Sequence, residues 1–311
     1  MAASCDGPVA HAGTPDMDWQ FTFLLVVNGV LVGLMYALIA LGFVLVYKAT
    51  DAINFAQGEF VMAPGIIAAV VAGAAHSFWV GAAVAVAVMI GFSFLLERAV
   101  LRPLLGRPVI AVIMATIGLA AVLRGTLPMM FGTSTLSLEL PLGDEPIQIG
   151  TLALQPAQVA GATVALAALV IFTWFFHFSR AGVAMRAMAD DQQAASAMGV
   201  NVTRYFAFAW AMAGVVSALG GVMWGAMLGV DVQLALVGLK VFPVVILGGL
   251  DSIGGAVLGG LIVGVVENLA AGYLDPLVGG GTKDFAPYVL MVAALLIRPY
   301  GMFGTRRIER V

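Results

Sequence analysis

FTFLLVVNGVLVGLMYALIALGFVLVY, residues 21–47, contains no charged side chain. It exceeds the ~20 apolar residues that carry a helix across the hydrocarbon core of a bilayer. Similar apolar runs follow near 60–76, 78–96, 108–127, 157–178, 206–228, 230–250, 254–272 and 285–303. Backbone polar groups in lipid must bond within their own segment, so each run is predicted to be a helix. The chain as a whole agrees. It has 311 residues, is 62% hydrophobic and 10% charged, and has a mean hydropathy of +1.05, whereas soluble domains carry about 25% charged residues. The expected fold is therefore all-α: a polytopic transmembrane bundle of about 8–9 spans. A re-entrant or broken helix would hide in the pair 60–76/78–96 or in the pair 230–250/254–272. Pro243, Gly248 and Gly249 make 230–250 the predicted discontinuous one.

Positive charge orients the bundle. Arg98, Arg102 and Arg107 lie between two runs, Arg180, Arg186 and Arg204 between two others, and Arg306, Arg307 and Arg310 after the last. All three groups are expected in the cytoplasm, together with Lys48. The segment 128–156 carries Glu139, Asp144 and Glu145 without Lys or Arg, and is expected outside. The organisation expected is a leading tail at 1–17, a transmembrane domain at 18–304 and a cytoplasmic tail at 305–311. Met17 stands as an alternative start to Met1.

Small residues recur at helical spacing: Gly29/Gly33, Gly221/Gly225/Gly229, Gly255/Gly259 and Gly260/Gly264. Such spacing lets membrane helices approach closely, within one chain or between two. Polar residues at membrane depth are expensive and point to a path or gate. The candidates are Asn28 and Tyr36, on one face of the first run, and Asn54, Gln57 and Glu59, at the cytoplasmic start of the second. Asp51 alternatively caps that second helix. Asp251 and Ser252 read as a turn. Glu267 and Asn268 are open between interface anchoring and function. No other ionisable residue is expected deep in the membrane, apart from Arg124, which is read as snorkelling to the interface.

Several chemistries are disfavoured. His11, His76 and His177, the three histidines, fall too far apart to converge on a metal or a nucleophile. Cys5 is the single cysteine, so no disulfide forms within the chain. GGGTKD at 279–284 lacks the spacing of a phosphate-cradling loop. No basic run is long enough to track nucleic acid. Neither an enzyme, a metal site nor a bound cofactor is expected.

Against this apolar background, RAGVAMRAMADDQQAASAMGVNVTRY at 180–205 is a polar island. A short helix is predicted from Ala184 to Met198, stopped by Gly199. Its apolar stripe would be Ala184, Met188, Ala195 and Met198, with Arg186, Asp190, Asp191 and Gln193 in water. Such a helix lies on the membrane interface, docks in a partner's groove, or is a solvated connector between two spans.

QAASAMG at 193–199 resembles the coupling-helix loop of importer permeases driven by ATP-binding cassettes, with Gln193 in place of a Glu. The segment 33–62, GLMYALIALGFVLVYKATDAINFAQGEFVM, is similar to the opening of LivH-type branched-chain amino acid permeases. VFPVVILGGLDSIGGAVLGGLIVGVVEN at 241–268 resembles their late span–turn–span. The order and spacing of the three agree too. The resemblance implies the inner-membrane component of a binding-protein-dependent transport system. It implies two separate ATPase subunits, a sister permease subunit or a second copy, and a periplasmic substrate-binding protein docking on 128–156 and 271–284. It also implies that Arg186, Asp190, Asp191, Gln193, Ala194, Ala195 and Gly199 form the coupling helix at the ATPase. The substrate implied is a branched-chain or related amino acid; urea, amides and aromatic acids are alternatives. The alternative in mechanism is a transporter driven by an ion gradient.

Overall fold

The computed structural model describes residues 19–104, 106–143, 145–150, 152–298 and 301–304. The leading tail with Cys5 and His11, both candidate starts, Asp144, and Arg306, Arg307 and Arg310 lie outside the described residues.

All nine apolar runs are helices. They are α1 (Trp19–Thr50), α2 (Gln57–Ala75), α3 (Phe78–Leu96), α4 (Val109–Phe131), α5 (Pro156–Phe178), α8 (Val202–Leu228), α9 (Ala235–Gly248), α10 (Ile253–Tyr273) and α12 (Thr282–Ile297). The island supplies α6 (Arg180–Asp190) and α7 (Gln192–Ala197), and Asp275–Val278 is a single turn, α11. A hairpin of β1 (Ile147–Ile149) and β2 (Leu152–Leu154) ornaments one loop. The chain is thus an all-α polytopic membrane bundle. Among the described residues, seven helices are long and apolar enough to cross a membrane. α9 and α12, of 14 and 16 residues, are too short to do so alone, since at 1.5 Å per residue they fall short of a core about 30 Å thick.

Glycine decides where the helices touch. A Cβ on Gly33 would lie 2.6 Å from the Gly260 carbonyl oxygen, and one on Gly264 2.4 Å from the Gly29 oxygen. α1 and α10 therefore cross backbone to backbone, and no larger residue fits that seam. Gly221 is pressed against Val61, which joins α8 to α2 in the same way. The core grows around this crossing, with α1 and α8 at its centre. Of the most apolar stretch of each, 83% is buried within the chain; for α4 the figure is 11%.

The broken segment is present, but its cause differs from the expected one. Pro243 sits inside a continuous α9. The interruption comes before it, at 229–234. There Gly229 turns with φ +81°, Asp231 caps a short 3-10 turn, and the chain dips back to begin α9 beside α2. The start of α2 is displaced too. The Gln57 amide donates to Ser217 Oγ at 2.9 Å and reaches the Ile39 carbonyl at 3.4 Å. Both are mid-helix residues, so α2 begins at mid-depth rather than at the inner surface. Gly58 and Gly238 are in backbone contact there. The starts of two partial helices thus meet inside the bundle, as in membrane proteins whose irregular backbone is buried in protein.

The candidate functional site

Two regions carry the polar chemistry: a cluster at mid-depth, and an elbow at the end of the bundle that bears Lys48, Arg98, Arg180 and Arg204, here the inner end.

At mid-depth the loop before α2 folds by local hydrogen bonding. Asn54 Oδ1 accepts from the Ala56 N–H at 3.1 Å, and its amide donates to Gln57 Oε1 at 3.2 Å. Asn54, Gln57 and Glu59 are all essentially inaccessible. Asp51 does not cap α2. It sits just past the end of α1 in left-handed conformation, φ 54°, and the residue preceding α2, Ala56, offers no side-chain cap. Glu59 accepts from Arg124 of α4, through Nε at 2.9 Å and through Nη2. Arg124 is therefore not simply a snorkelling residue, because its guanidinium turns toward a buried carboxylate.

A second ionic group was missed by sequence reasoning. Lys240 of α9 donates to Glu267 of α10 at 3.1 Å and to Asp284 of α12 at 2.8 Å. Glu267 is fully buried, and its second oxygen has no hydrogen-bond partner among the described residues. The signal was in view: a lone lysine within the apolar run 230–250 has to find a partner. Tyr36 lies in the electrostatic neighbourhood of Glu267, and its ring is 5.0 Å from that of Trp224. Asn28 is half-buried two turns outward on α1. Tyr36 thus belongs with the lysine group and Glu59 with Arg124, while Asn54 and Gln57 bond to each other and Gln57 to Ser217. Asn268 bonds back to its own helix, and Ser252 caps α10.

At the inner end the island forms two helices instead of one. Ser179 caps α6. Asp191 ends it in extended conformation and caps α7, its carboxylate accepting from the N–H groups of Gln193 and Ala194 at 2.8 and 2.9 Å. Aspartate at that position competes with the continuing helix for backbone donors, which is why one predicted helix became an elbow. Gly199 ends the elbow with φ +87°. The buried stripe is Met185, Met188 and Ala195. Met198 points the other way, 85% exposed, and Ala184 is only partly covered. Met185 and Met188 line a small cleft with Lys48, Ala49, Phe176 and Tyr205, at the inner ends of α1, α5 and α8. Gln192 adds a hydrogen bond to the Ala49 carbonyl at 3.1 Å. Of the seven predicted docking residues, Asp190, Asp191, Gln193, Ala194 and Gly199 are exposed. Arg186 folds back on the His177 carbonyl, Asp191 is engaged as a cap, and Ala195 faces inward.

At the opposite end of the bundle the chain following α4 is tied to the dip before α9. Leu136 and Val230 exchange backbone hydrogen bonds at 2.9 Å, and Thr135 donates to Asp231 at 3.2 Å. The acidic outer segment is thereby stitched to the dip that starts α9. Among the described residues no cluster of His, Cys, Asp or Glu is arranged to hold a metal.

Comparison with known proteins follows this geometry. Residues 25–297 match the family model described as branched-chain amino acid transport system / permease component. The high-affinity branched-chain amino acid transport system permease protein LivH of Salmonella typhimurium is 31% identical, over 95% of this chain and all of that one. The permease protein BraD of Pseudomonas aeruginosa, of the same description, is 30% identical over 92% and 96%. Among solved structures, PsaBC from Streptococcus pneumoniae in complex with Fab aligns with a TM-score of 0.47 and 12% identity, over 89% of this chain and 92% of that chain.

Proposed function

The chain belongs to the permease family of branched-chain amino acid transport systems, and from that premise we propose that it is a translocation subunit of an ATP-driven importer in the bacterial inner membrane. It moves branched-chain or related amino acids. Two ATPase subunits, a sister permease or second copy, and a periplasmic binding protein complete the machine. The Arg-rich end, with the C-terminal tail at 305–311, faces the cytoplasm. The outer segments 128–156 and 271–284 receive the binding protein.

One observation carries this reading: the elbow of α6 and α7. Its buried side is wedged between the inner ends of α1, α5 and α8, while Gln193, Ala194, Ala197, Met198 and Gly199 project away from the bundle. A rigid elbow seated on the central helix transmits a push from outside to the core. In the cycle we propose, closure of the ATPase pair presses on the elbow, the spans tilt and the path opens outward to receive substrate. Ala194→Glu alters only an exposed side chain. It should leave membrane insertion and protein level intact, abolish leucine uptake, and prevent co-purification of the ATPase subunits. Normal uptake by that variant would remove the elbow from the mechanism.

The Lys240–Glu267–Asp284 group favours a second reading, an ion-gradient transporter, because such proteins keep ionisable groups at membrane depth. Uptake that survives inactivation of the ATPase but stops with a protonophore would select it.

A further inference from the structure

Arg124 stands on α4 seven residues before its last residue, Phe131, and turns its guanidinium toward a buried carboxylate. Its partner Glu59 is 1% exposed, two residues into α2 at the level of the middle of α1 and α8. The guanidinium is anchored to Glu59 through Nε and Nη2, yet the side chain remains 49% exposed. The face it opens onto belongs to α4, the least buried of the long helices. One turn before Arg124 on the same side Ala121 is exposed, and further round the helix Gly118 and Gly125 have no described atom within 4 Å of a would-be Cβ. A charge at that depth costs several kcal/mol against hydrocarbon, so it must meet protein, water or a polar solute. The short side chain of Ala121 leaves room for a solute beside it. Arg has five donors in a planar fork and binds carboxylates by its edges. With one edge on Glu59, donors remain on the other.

We propose that α4 lines the translocation path and that Arg124 binds the α-carboxylate of the passing amino acid, with Glu59 as its positioning residue. This rests on the reading of the chain as an amino acid permease. It names a contact that the sequence did not single out. The binding is electrostatic and independent of the substrate side chain, so it suits a path shared by several amino acids. Glu59 keeps the guanidinium neutralised between passages, when an unpaired charge would be most costly.

The test uses the complete transporter in cells, with radiolabelled leucine as probe. Arg124→Gln should lower uptake about tenfold or more, the loss expected from one hydrogen bond to a charged group, and Arg124→Lys should retain an intermediate rate. The exchange Glu59→Arg with Arg124→Glu restores an ion pair and separates structure from binding. It should restore protein level but not uptake, because the exposed partner is then an anion. In a Cys5→Ser background, the Arg124→Cys variant should react with a membrane-impermeant cationic thiol reagent and regain uptake. Wild-type levels of uptake in the exchange variant, or failure of the reagent to reach position 124, would overturn the proposal. Absence of leucine uptake by the unaltered transporter would instead count against the amino acid assignment itself.

Discussion

α1 and α4 are both long apolar helices, and both carry glycines. α1 uses Gly29 and Gly33 to press against the backbone of α10, and nearly all of its apolar stretch is covered. α4 presses Gly118 and Gly125 against none of the described residues. Hydropathy measures how well a segment tolerates lipid, not where it stands in a bundle. The same small residue means a sealed seam in one helix and open space in the other. α1 is the frame of the molecule, and α4 is the helix that looks outward.

That contrast can be broken at several points. The largest effect is expected from Lys240→Ala, which leaves Glu267 buried as an unpaired charge beside the frame, at a cost of about 3–5 kcal/mol. Thermal stability in detergent should fall sharply, and adding Glu267→Gln should recover part of it. Gly33→Leu comes next. Its Cβ would collide with the Gly260 oxygen, and overpacking of this kind costs about 1–3 kcal/mol or more. Gly118→Leu, the matched change in α4, should shift the stability of the isolated chain by no more than about 0.5 kcal/mol. Equal losses for the two glycine variants would erase the distinction between frame and open helix.

The smallest effect lies outside the spans. Asp275 accepts hydrogen bonds from the hydroxyl and the N–H of Thr282, which hold its carboxyl below the ordinary value. A carboxylate with a depressed folded pKa contributes fully above its unfolded pKa of about 3.9 and loses that contribution as pH falls through the lowered value. Asp275→Asn should therefore lower the Tm slightly at neutral pH. The gap to wild type should close below about pH 4. A gap unchanged at acid pH would show that the charge of Asp275 is irrelevant.

The sequence was most legible where one physical requirement dominates. Long uncharged runs have no fate but helices in lipid, and all nine runs are helices. The polar island announced itself by contrast. What stayed hidden depended on tertiary placement. The start of α2 lies at mid-depth because Gln57 finds Ser217, 160 residues away, and no local pattern encodes that partner. The elbow hinges on Asp191, which composition reads as a tolerable helix residue. The run 230–250 reads as discontinuous through Pro243, Gly248 and Gly249, but the break falls upstream of them, at the turn residues Gly229 and Asp231. Lys240 and Arg124 are single letters whose meaning comes from the carboxylates they meet.

The crossing of α1 and α10 also bears on how the molecule is made. α1 emerges from the ribosome before α10, yet its glycine seam is closed by Gly260 and Gly264, more than two hundred residues later. At about 5–20 residues per second that delay is on the order of tens of seconds. Throughout it the future centre of the bundle waits in the bilayer with its groove uncovered, so the insertion machinery or neighbouring lipid must shelter it until α10 has been made.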